Sequence, residues 1–249
     1  MKKLLYIVLL IGCFACDSES ANDCFQTEGD IIQELREVSS FERILVNRDV
    51  ELILSEGTEF EVLVESGANL INDVRVNVIG NQLQLTDDNS CNFVRDYGIT
   101  KIYVTAPNIT EIRNSSQYEV SSNGVLNFPE LELFSEDAIA PGSFTVGDFR
   151  LTLNSTSVRI VSNNISSFYL TGETVDLNIG FFSGAGRFEG ESFVAQNVSV
   201  FHRGSNDMIV NPQAELVGEL RGTGDLIAVN TPPIINVQQF YTGELIIED

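Results

Sequence analysis

The chain has 249 residues, with 36 acidic and 14 basic side chains and a formal net charge of −22 at pH 7. Such a charge repels phosphate backbones, so we expect no nucleic-acid partner. Short segments alternate apolar with polar residues, and no long window has the i, i+3, i+4, i+7 spacing of an amphipathic helix. The sequence therefore predicts an all-β protein.

The N-terminus has the features of an export signal. Lys2 and Lys3 precede an apolar run that extends from Leu4 to Ala15. This run is too short to span a bilayer as a helix and is typical of a secretory signal peptide. We predict that residues 1–15 are removed and that residues 16–28 form a polar tether.

Two cysteines stand at the end of the apolar run. Both resemble the lipobox cysteine of bacterial lipoproteins, because a small residue precedes each of them. The residues upstream of Cys13 fit that pattern better, whereas cleavage before Cys16 leaves Cys24 and Cys91 as an even pair. We predict that Cys16 is acylated, with Cys13 as the alternative, and that the acyl chains anchor the protein to the membrane.

The remaining two cysteines are candidates for a disulfide. An exported chain meets oxidising conditions, in which Cys24 and Cys91 can pair. Their bridge closes a loop of 67 residues. The alternative is that both thiols are unpaired and behave as small hydrophobic side chains.

Residues 29–98 alternate strictly between apolar and polar positions. In one segment Val50, Leu52 and Leu54 share one side, and a Gly80-Asn81 turn joins two later segments. Period-two segments separated by tight turns are typical of hairpins. We therefore predict an N-terminal antiparallel β section here.

Residues 99–249 repeat at a near-constant spacing. Apolar anchors recur at steps of 20 to 26 residues, at Ile112, Leu133, Leu153, Ile179, Val200, Leu220 and Phe240. The turn Arg203-Gly-Ser-Asn-Asp207 returns as Arg221-Gly-Thr-Gly-Asp225 in the same chain direction. This period predicts a parallel β-helix, or β-solenoid, with rungs of about 20 residues.

The register is open between Val158 and Val175. The long anchor step falls there and indicates a widened rung, but the similar segments that begin at Phe149 and Phe168 give a step of 19.

The sequence carries little catalytic chemistry. The presence of a single histidine, His202, argues against a metal centre, and we predict no cofactor and no catalytic residue. The repeated turns have two interpretations. In the first, their charged residues act as the acid, the base and the charge-neutralising groups of a glycan-cleaving enzyme. In the second, they form a ladder of side chains that supports the turns. We favour the ladder. These residues are Arg203, Asp207, Arg221 and Asp225.

Aromatic residues near the late turns are the best indication of binding. Aromatic rings exposed in a stripe can hold a sugar or an apolar patch of a partner protein. The predicted binding face consists of Phe182, Phe201, Arg203, Asp207, Arg221, Asp225 and Tyr241.

Four sequence features occur together between residues 41 and 247. They are an opening pair of strands at Phe41–Val46 and Val50–Leu54, the segments Gly80–Leu85 and Ile102–Pro107, and Ser-Gly-Ser-Gly-like turns such as Ser183–Gly186. With these features the chain resembles the GIN domain, an auto-transporter adhesin head domain of many lipoproteins of Bacteroidetes-type bacteria. The first turns, such as Asn114-Ser-Ser, lack the glycines of that pattern. The resemblance implies a β-solenoid at the cell surface or outer membrane, and it brings no catalytic residues.

Taken together, these features predict an exported, lipid-anchored envelope protein that acts as a binding or adhesion module. The expected partners are the membrane, through the acyl anchor, and a surface glycan or protein. Two alternatives are a polysaccharide lyase or hydrolase on the same scaffold, and a purely structural envelope protein.

Overall fold

A computed structural model describes residues 23–89 and 91–248. These residues form 17 strands and two single-turn 3₁₀ helices, Asp23–Phe25 and Ile71–Asp73. The predicted all-β class is confirmed. Strands form because apolar side chains alternate with polar ones, which places the apolar set on one side of each extended segment.

The strands have the following bounds: β1 Ile31–Arg36, β2 Arg43–Val46, β3 Glu51–Glu56, β4 Glu61–Gly67, β5 Val74–Ile79, β6 Gln82–Asp87, β7 Lys101–Ala106, β8 Glu111–Asn114, β9 Val120–Leu126, β10 Glu130–Ser135, β11 Phe149–Ser162, β12 Phe168–Phe181, β13 Phe188–His202, β14 Met208–Leu220, β15 Leu226–Ala228, β16 Ile234–Gln239 and β17 Leu245–Ile247.

All 17 strands join one sheet, which curves into a nearly closed, barrel-like form. Most neighbours are parallel, and they fall into two stacks. The first stack contains β6, β2, β8, β10, the second halves of β11 to β14, and β16. The second stack contains β7, β3, β9, the first halves of β11 to β14, β15 and β17.

The long strands β11 to β14 pass from the second stack to the first, so each contributes to both. Residues one turn apart lie in register, as in the column Phe149, Phe168, Phe188, Met208, Leu226 and Leu245. The rings of Phe149 and Phe168 stack with centroids 4.8 Å apart. Like side chains thus lie above one another, and the apolar ones form one continuous core.

The predicted antiparallel section was correct only in part. β5 and β6 form a hairpin through the Gly80-Asn81 turn, and β4 pairs antiparallel with both β1 and β7. β2 and β3, however, run parallel to their neighbours. The reason is that Asn47–Val50 is a corner between the two stacks rather than a hairpin turn, and Asp49 has a φ of 66° in it.

The open register between Val158 and Val175 resolves in favour of the shorter step. Phe149 pairs with Phe168, and Ile160 rather than Leu153 lies in line with Ile179. The extra length lies earlier, in the loop of residues 136–148 between β10 and β11. The spacing of apolar anchors alone could not locate this insertion. Wherever the extra residues lie before Ile160, they displace all later anchors by the same number of residues.

The two ends of the stacks differ. β5 and β4 cover the outer edges of β6 and β7 with antiparallel strands. At the opposite end, β16 and β17 have no further strand beside them within residues 23–89 and 91–248. Ile234 and Ile235 of β16 are exposed there.

Candidate functional site

A shallow trough crosses the outward side of the first stack between β10 and β14. It consists of three adjoining depressions of about 320, 280 and 330 Å³, which share wall residues. We call this surface the trough and define it by its central residues, Ser157, Arg159, Asn178, Gly180, Phe182, Ser199 and Phe201. Alternation within β11 to β13 turns the strand residues of this set outward, while Ile160, Ile179 and Val200 enter the core.

Phe182 and Phe201 form an aromatic pair at one edge of the trough. Their ring centroids are 5.1 Å apart and their planes differ by 29°. Phe182 follows the end of β12, and its ring lies over Gly180, where a side chain would collide with it. Phe182 is 47% exposed, so the pair presents apolar surface to solvent instead of to the core. Both rings belong to the predicted binding face, and the structure places them in contact with each other.

Uncharged polar groups lie beside the aromatic pair. Asn178 of β12 and Ser199 of β13 are register partners, and both are exposed. Among the residues that the structure describes, neither side chain has a hydrogen-bond partner. Their neighbours Asn197 and Asp176 are joined by a hydrogen bond of 2.9 Å from Nδ2 to Oδ1. The trough therefore offers free amide and hydroxyl groups next to an aromatic surface.

The charged groups around the trough are largely paired with one another. Arg159 donates to Glu132 at 2.9 Å, and its guanidinium lies 5.8 Å from the Phe134 ring. At the other end, Arg221 donates to Glu219 at 2.6 Å. Each of these basic groups therefore already has a counter-ion within the protein.

Two predicted site residues support the turns. Asp207 accepts the backbone N–H of Asp225 at 3.0 Å, and Asp225 accepts that of Glu244 at 2.8 Å. Asp148 accepts the N–H of Ser167 in the same way at 2.7 Å. Each carboxylate thus accepts a backbone N–H group from a following turn and supports the backbone there.

The remaining predicted residues lie along the same edge of the protein. Arg221 lies over the ring of Phe240, with 4.0 Å from Cζ to the centroid. Arg203 is exposed, and its guanidinium has no ion-pair partner within the described part of the chain. Tyr241 is 64% exposed in the last turn, two turns beyond Phe201. These residues extend the aromatic edge beyond the trough but do not line it.

His202 is fully buried, contrary to the expectation for a residue next to a turn. Its Nδ1 accepts the N–H of Gly204 at 3.3 Å, and its Nε2 has no partner among the described residues. Burial lowers the pKa of His202 below its usual value, although nearby Asp207 and Asp225 oppose that shift. His202 is therefore neutral at pH 7 and belongs to the core.

Cys24 and Cys91 form the predicted disulfide. It holds the segment between β6 and β7, where a separate cavity of about 250 Å³ lies beside Asp87. The carboxylate of Asp87 accepts hydrogen bonds from Thr100 at 2.6 Å and from the backbone N–H of Asn89 at 2.9 Å. Burial raises the pKa of Asp87 in spite of these bonds. Because its carboxylate is used within the protein, this cavity is a weaker candidate than the trough.

The predicted lipid anchors, Cys16 and Cys13, lie outside the described residues. Within residues 23–89 and 91–248, no cluster of three or more His, Cys, Asp or Glu side chains is arranged to hold a metal ion. In the same ranges, no helix has the length and apolar character needed to cross a membrane.

Sequence reasoning missed the polar half of the trough. Asn178 and Ser199 are ordinary outward positions of two strands, and only the parallel register brings them side by side. The signal that could have found Ser199 is its position two residues before Phe201, because alternate residues of a strand share a face.

The fold and this surface define an all-β protein whose mostly parallel strands form one nearly closed sheet, with an outward polar and aromatic face. Residues 40–232 match the family described as "Putative auto-transporter adhesin, head GIN domain", and the chain belongs to that family. The resemblance that the sequence motifs indicated is therefore confirmed. None of the curated proteins matches the chain.

Solved structures share the fold. A protein of Bacteroides fragilis described as a putative adhesin aligns with a TM-score of 0.78 at 18% identity, over 89% of this chain and 99% of its own. A putative adhesin of Parabacteroides merdae aligns at 0.63 and 11% identity, over 88% and 97%. A protein of Parabacteroides distasonis described as a putative lipid binding protein aligns at 0.60 and 11% identity, over 89% and 98%.

Proposed function

We propose that this protein is an exported, lipid-anchored module of the cell envelope that binds a surface glycan or protein through the trough. The observation that carries the proposal is the aromatic pair of Phe182 and Phe201, which lies over a depression on an exposed sheet face. Monomeric proteins seldom leave contiguous aromatic surface in water unless it binds a partner.

The proposed cellular location rests on the N-terminal sequence and on the family. A signal peptide of residues 1–15 followed by acylation of Cys16, or alternatively cleavage before Cys13 and acylation of Cys13, fits a family described as an adhesin head domain. The polar residues 16–28 then serve as a tether, and the domain stands at the outer membrane or cell surface.

The architecture suits such a role. Parallel strands succeed one another with register steps of 17 to 21 residues from β11 to β17, and we infer from this that the protein is a β-solenoid. Stacked coils that share one core form a rigid surface, and rigid binding surfaces lose little conformational entropy when a partner docks.

A binding function explains the residues of the predicted binding face better than a catalytic function does. The carboxylates of Asp207 and Asp225, which a glycan-cleaving enzyme would need as acid and base, accept backbone N–H groups of the following turns. The structural neighbours from Bacteroides fragilis and Parabacteroides merdae are described as putative adhesins, which also supports a binding role. A purely structural envelope protein would have no need for an exposed aromatic pair.

Adhesion of protein-coated beads tests the proposal. The full chain, immobilised on beads, should adhere to at least one of bacterial cells, mucin or extracellular-matrix protein, and the Phe182→Ala/Phe201→Ala variant should adhere much less. Tyr97→Ala is the matched control, because Tyr97 is 76% exposed but lies in the loop that follows Cys91. Equal adhesion by wild type and the double variant, or no adhesion to any surface, would contradict the proposed function.

A further inference from the structure

We infer that the ligand of the trough is an uncharged polysaccharide, bound in extended form along the stack axis. This inference rests on the proposed function and specifies its ligand class. Three features of the trough carry it: the balance of its charges, the free hydrogen-bonding groups at its centre, and the spacing of its strands.

The charges exclude an acidic polymer. The chain as a whole has a net charge of −22, and carboxylates stand at both ends of the trough, at Glu111 and Glu130 on one side and Glu215 on the other. The nearest cation, Arg159, is already paired with Glu132. A sulfated or uronic-acid chain would meet repulsion at each end without a free basic group between them.

The charged side chains at the centre of the trough are all paired with other protein groups. Within the trough, the outward side chains from the second halves of β11 to β13 include one cation and one anion, Arg159 and Asp176, and both have partners. Among the described residues, the uncharged trough groups without protein partners include the amide of Asn178 and the hydroxyls of Ser157 and Ser199. An amide and a hydroxyl each donate and accept, which matches the hydroxyl groups of a neutral sugar.

The aromatic pair supplies the complementary apolar contact. The C–H side of a pyranose ring is apolar and flat, and it packs on an aromatic face. Phe182 and Phe201 stand next to Asn178 and Ser199, so one sugar ring can contact the rings while its hydroxyls reach the amide and hydroxyl groups.

The strand spacing favours a polymer over a single sugar. Neighbouring strands lie about 4.8 Å apart, a distance similar to the length of one pyranose unit in an extended chain. The register partners Arg159, Asn178 and Ser199 lie on three successive strands, so polar side chains follow one another along the axis. A chain of identical sugars meets such a repeat with several units at once, and each weak contact is multiplied.

Titration with defined oligosaccharides tests the inference. The probes are neutral hexasaccharides of glucose, mannose, galactose and N-acetylglucosamine, with hexagalacturonate as the acidic probe and a chitosan hexamer as the cationic probe. The full chain is used in a detergent whose headgroup contains no sugar, and binding is measured by calorimetry at low and high salt. We expect one neutral hexasaccharide to bind with little salt dependence and to bind better than its monosaccharide, and the acidic probe to show no binding.

Variants locate the binding in the trough. Phe182→Ala and Phe201→Ala should each weaken binding about 3- to 10-fold, the range typical of an aromatic contact. Asn178→Ala should weaken it about 2- to 10-fold, as expected for one hydrogen bond. Tyr97→Ala should leave it unchanged, and Phe182→Tyr should retain it. Thermal unfolding of each variant identifies any that lose affinity because they fail to fold.

The outcomes separate the ligand class from the proposed function. If beads adhere through Phe182 and Phe201 but no neutral hexasaccharide binds, the ligand is a protein and the present inference is wrong. Binding only of the chitosan hexamer, abolished by salt, would also overturn it in favour of electrostatic attraction to the acidic protein. If the beads do not adhere and no probe binds, the proposed function itself fails.

Discussion

The imidazole of His202 meets the ring of Phe181 edge to face, with centroids 6.2 Å apart, inside the core of the coil. The two residues are register partners on β12 and β13, and Leu220 of β14 follows His202 in the same column. A titratable side chain therefore occupies a position that apolar residues fill on either side of it.

Because His202 is buried at this position, we predict that the protein loses stability in acid. The His202→Leu variant should lose less. Burial lowers the pKa of His202 in the folded state, so the unfolded chain binds more protons below the usual value of 6.5. Stability is then greatest above about pH 6.5 and falls as the pH drops towards the folded-state pKa, by on the order of 1 kcal/mol for each unit of difference. Urea unfolding at pH 8 and pH 5 measures the change. Its size should be smaller in His202→Leu than in wild type, and an identical pH dependence in the two proteins would contradict the assignment.

Arg113 and Glu136 form a buried ion pair at the start of the long loop between β10 and β11. Their side chains are 2.6 Å apart and nearly inaccessible to solvent. Burial alone would raise the pKa of Glu136, but hydrogen bonds from the Ile139 N–H and from Arg113, with the charge of Arg113, lower it on balance. Because its folded-state pKa is depressed, the stability it contributes is present above its usual value of 4.5 and is lost as the pH falls further.

Removing only one partner of this ion pair should strongly destabilise the folded protein. Arg113→Met leaves the Glu136 carboxylate buried without its counter-ion, and we expect a loss of about 3–5 kcal/mol in the free energy of unfolding. The double variant Arg113→Met/Glu136→Leu should lose less than Arg113→Met alone, because it leaves no buried charge. Chemical denaturation of the four proteins of this cycle gives the coupling, and strictly additive losses would argue against a buried, coupled pair.

The Cys24–Cys91 disulfide should contribute substantially to stability. It spans 67 residues, and on the chain-entropy account a loop of that size stabilises the folded state by about 4 kcal/mol. Cys24→Ser/Cys91→Ser should therefore unfold at lower urea concentration than the wild type. Adding a reductant should lower the midpoint of the wild type but leave that of the variant unchanged. A wild-type midpoint that does not respond to complete reduction would show that the bridge adds nothing.

The repeated glycine turns predict a packing constraint. Gly222 lies directly against the carbonyl group of Gly204 in the preceding turn, and a Cβ at Gly222 would overlap that oxygen. Gly222→Ala should destabilise the protein by about 1–3 kcal/mol, because the stacked turns must separate to admit the methyl group. Thr223→Ala, an exposed change in the same turn, is the control and should be nearly neutral. Comparable melting temperatures for the two variants would show that the turns tolerate separation.

Several elements of the fold follow from local chemistry. The Gly80-Asn81 hairpin was predictable because turn residues separate two alternating segments, and Gly80 has the φ of 62° that such turns favour. The disulfide was predictable because an exported chain meets oxidising conditions, in which Cys24 and Cys91 can pair. The repeat of Arg203–Asp207 as Arg221–Asp225 indicated that the turns align in one direction, and the ladder of carboxylates on backbone N–H groups follows from it.

Other elements depend on contacts between distant residues. β2 and β3 have the same alternation as a hairpin, and nothing local distinguishes a corner from a hairpin turn at Asn47–Val50. The parallel pairing of β2 with β8 brings together residues 68 positions apart, such as Arg43 and Glu111. Likewise, the buried state of His202 results from its column partners, since a polar residue beside a turn is ordinarily solvated.

The sequence by itself determined the all-β class, the paired cysteines and the family, because each of these is written in local periodicity or in residue type. It also singled out Phe182 and Phe201 as aromatic positions beside turns. Only the tertiary structure decided which stack each strand joins, where the extra loop lies, and that Asn178 and Ser199 stand beside the aromatic pair. The physical reason is that register between parallel strands is set by the packing of side chains across the whole core, and a single strand carries no record of which residues will lie next to it.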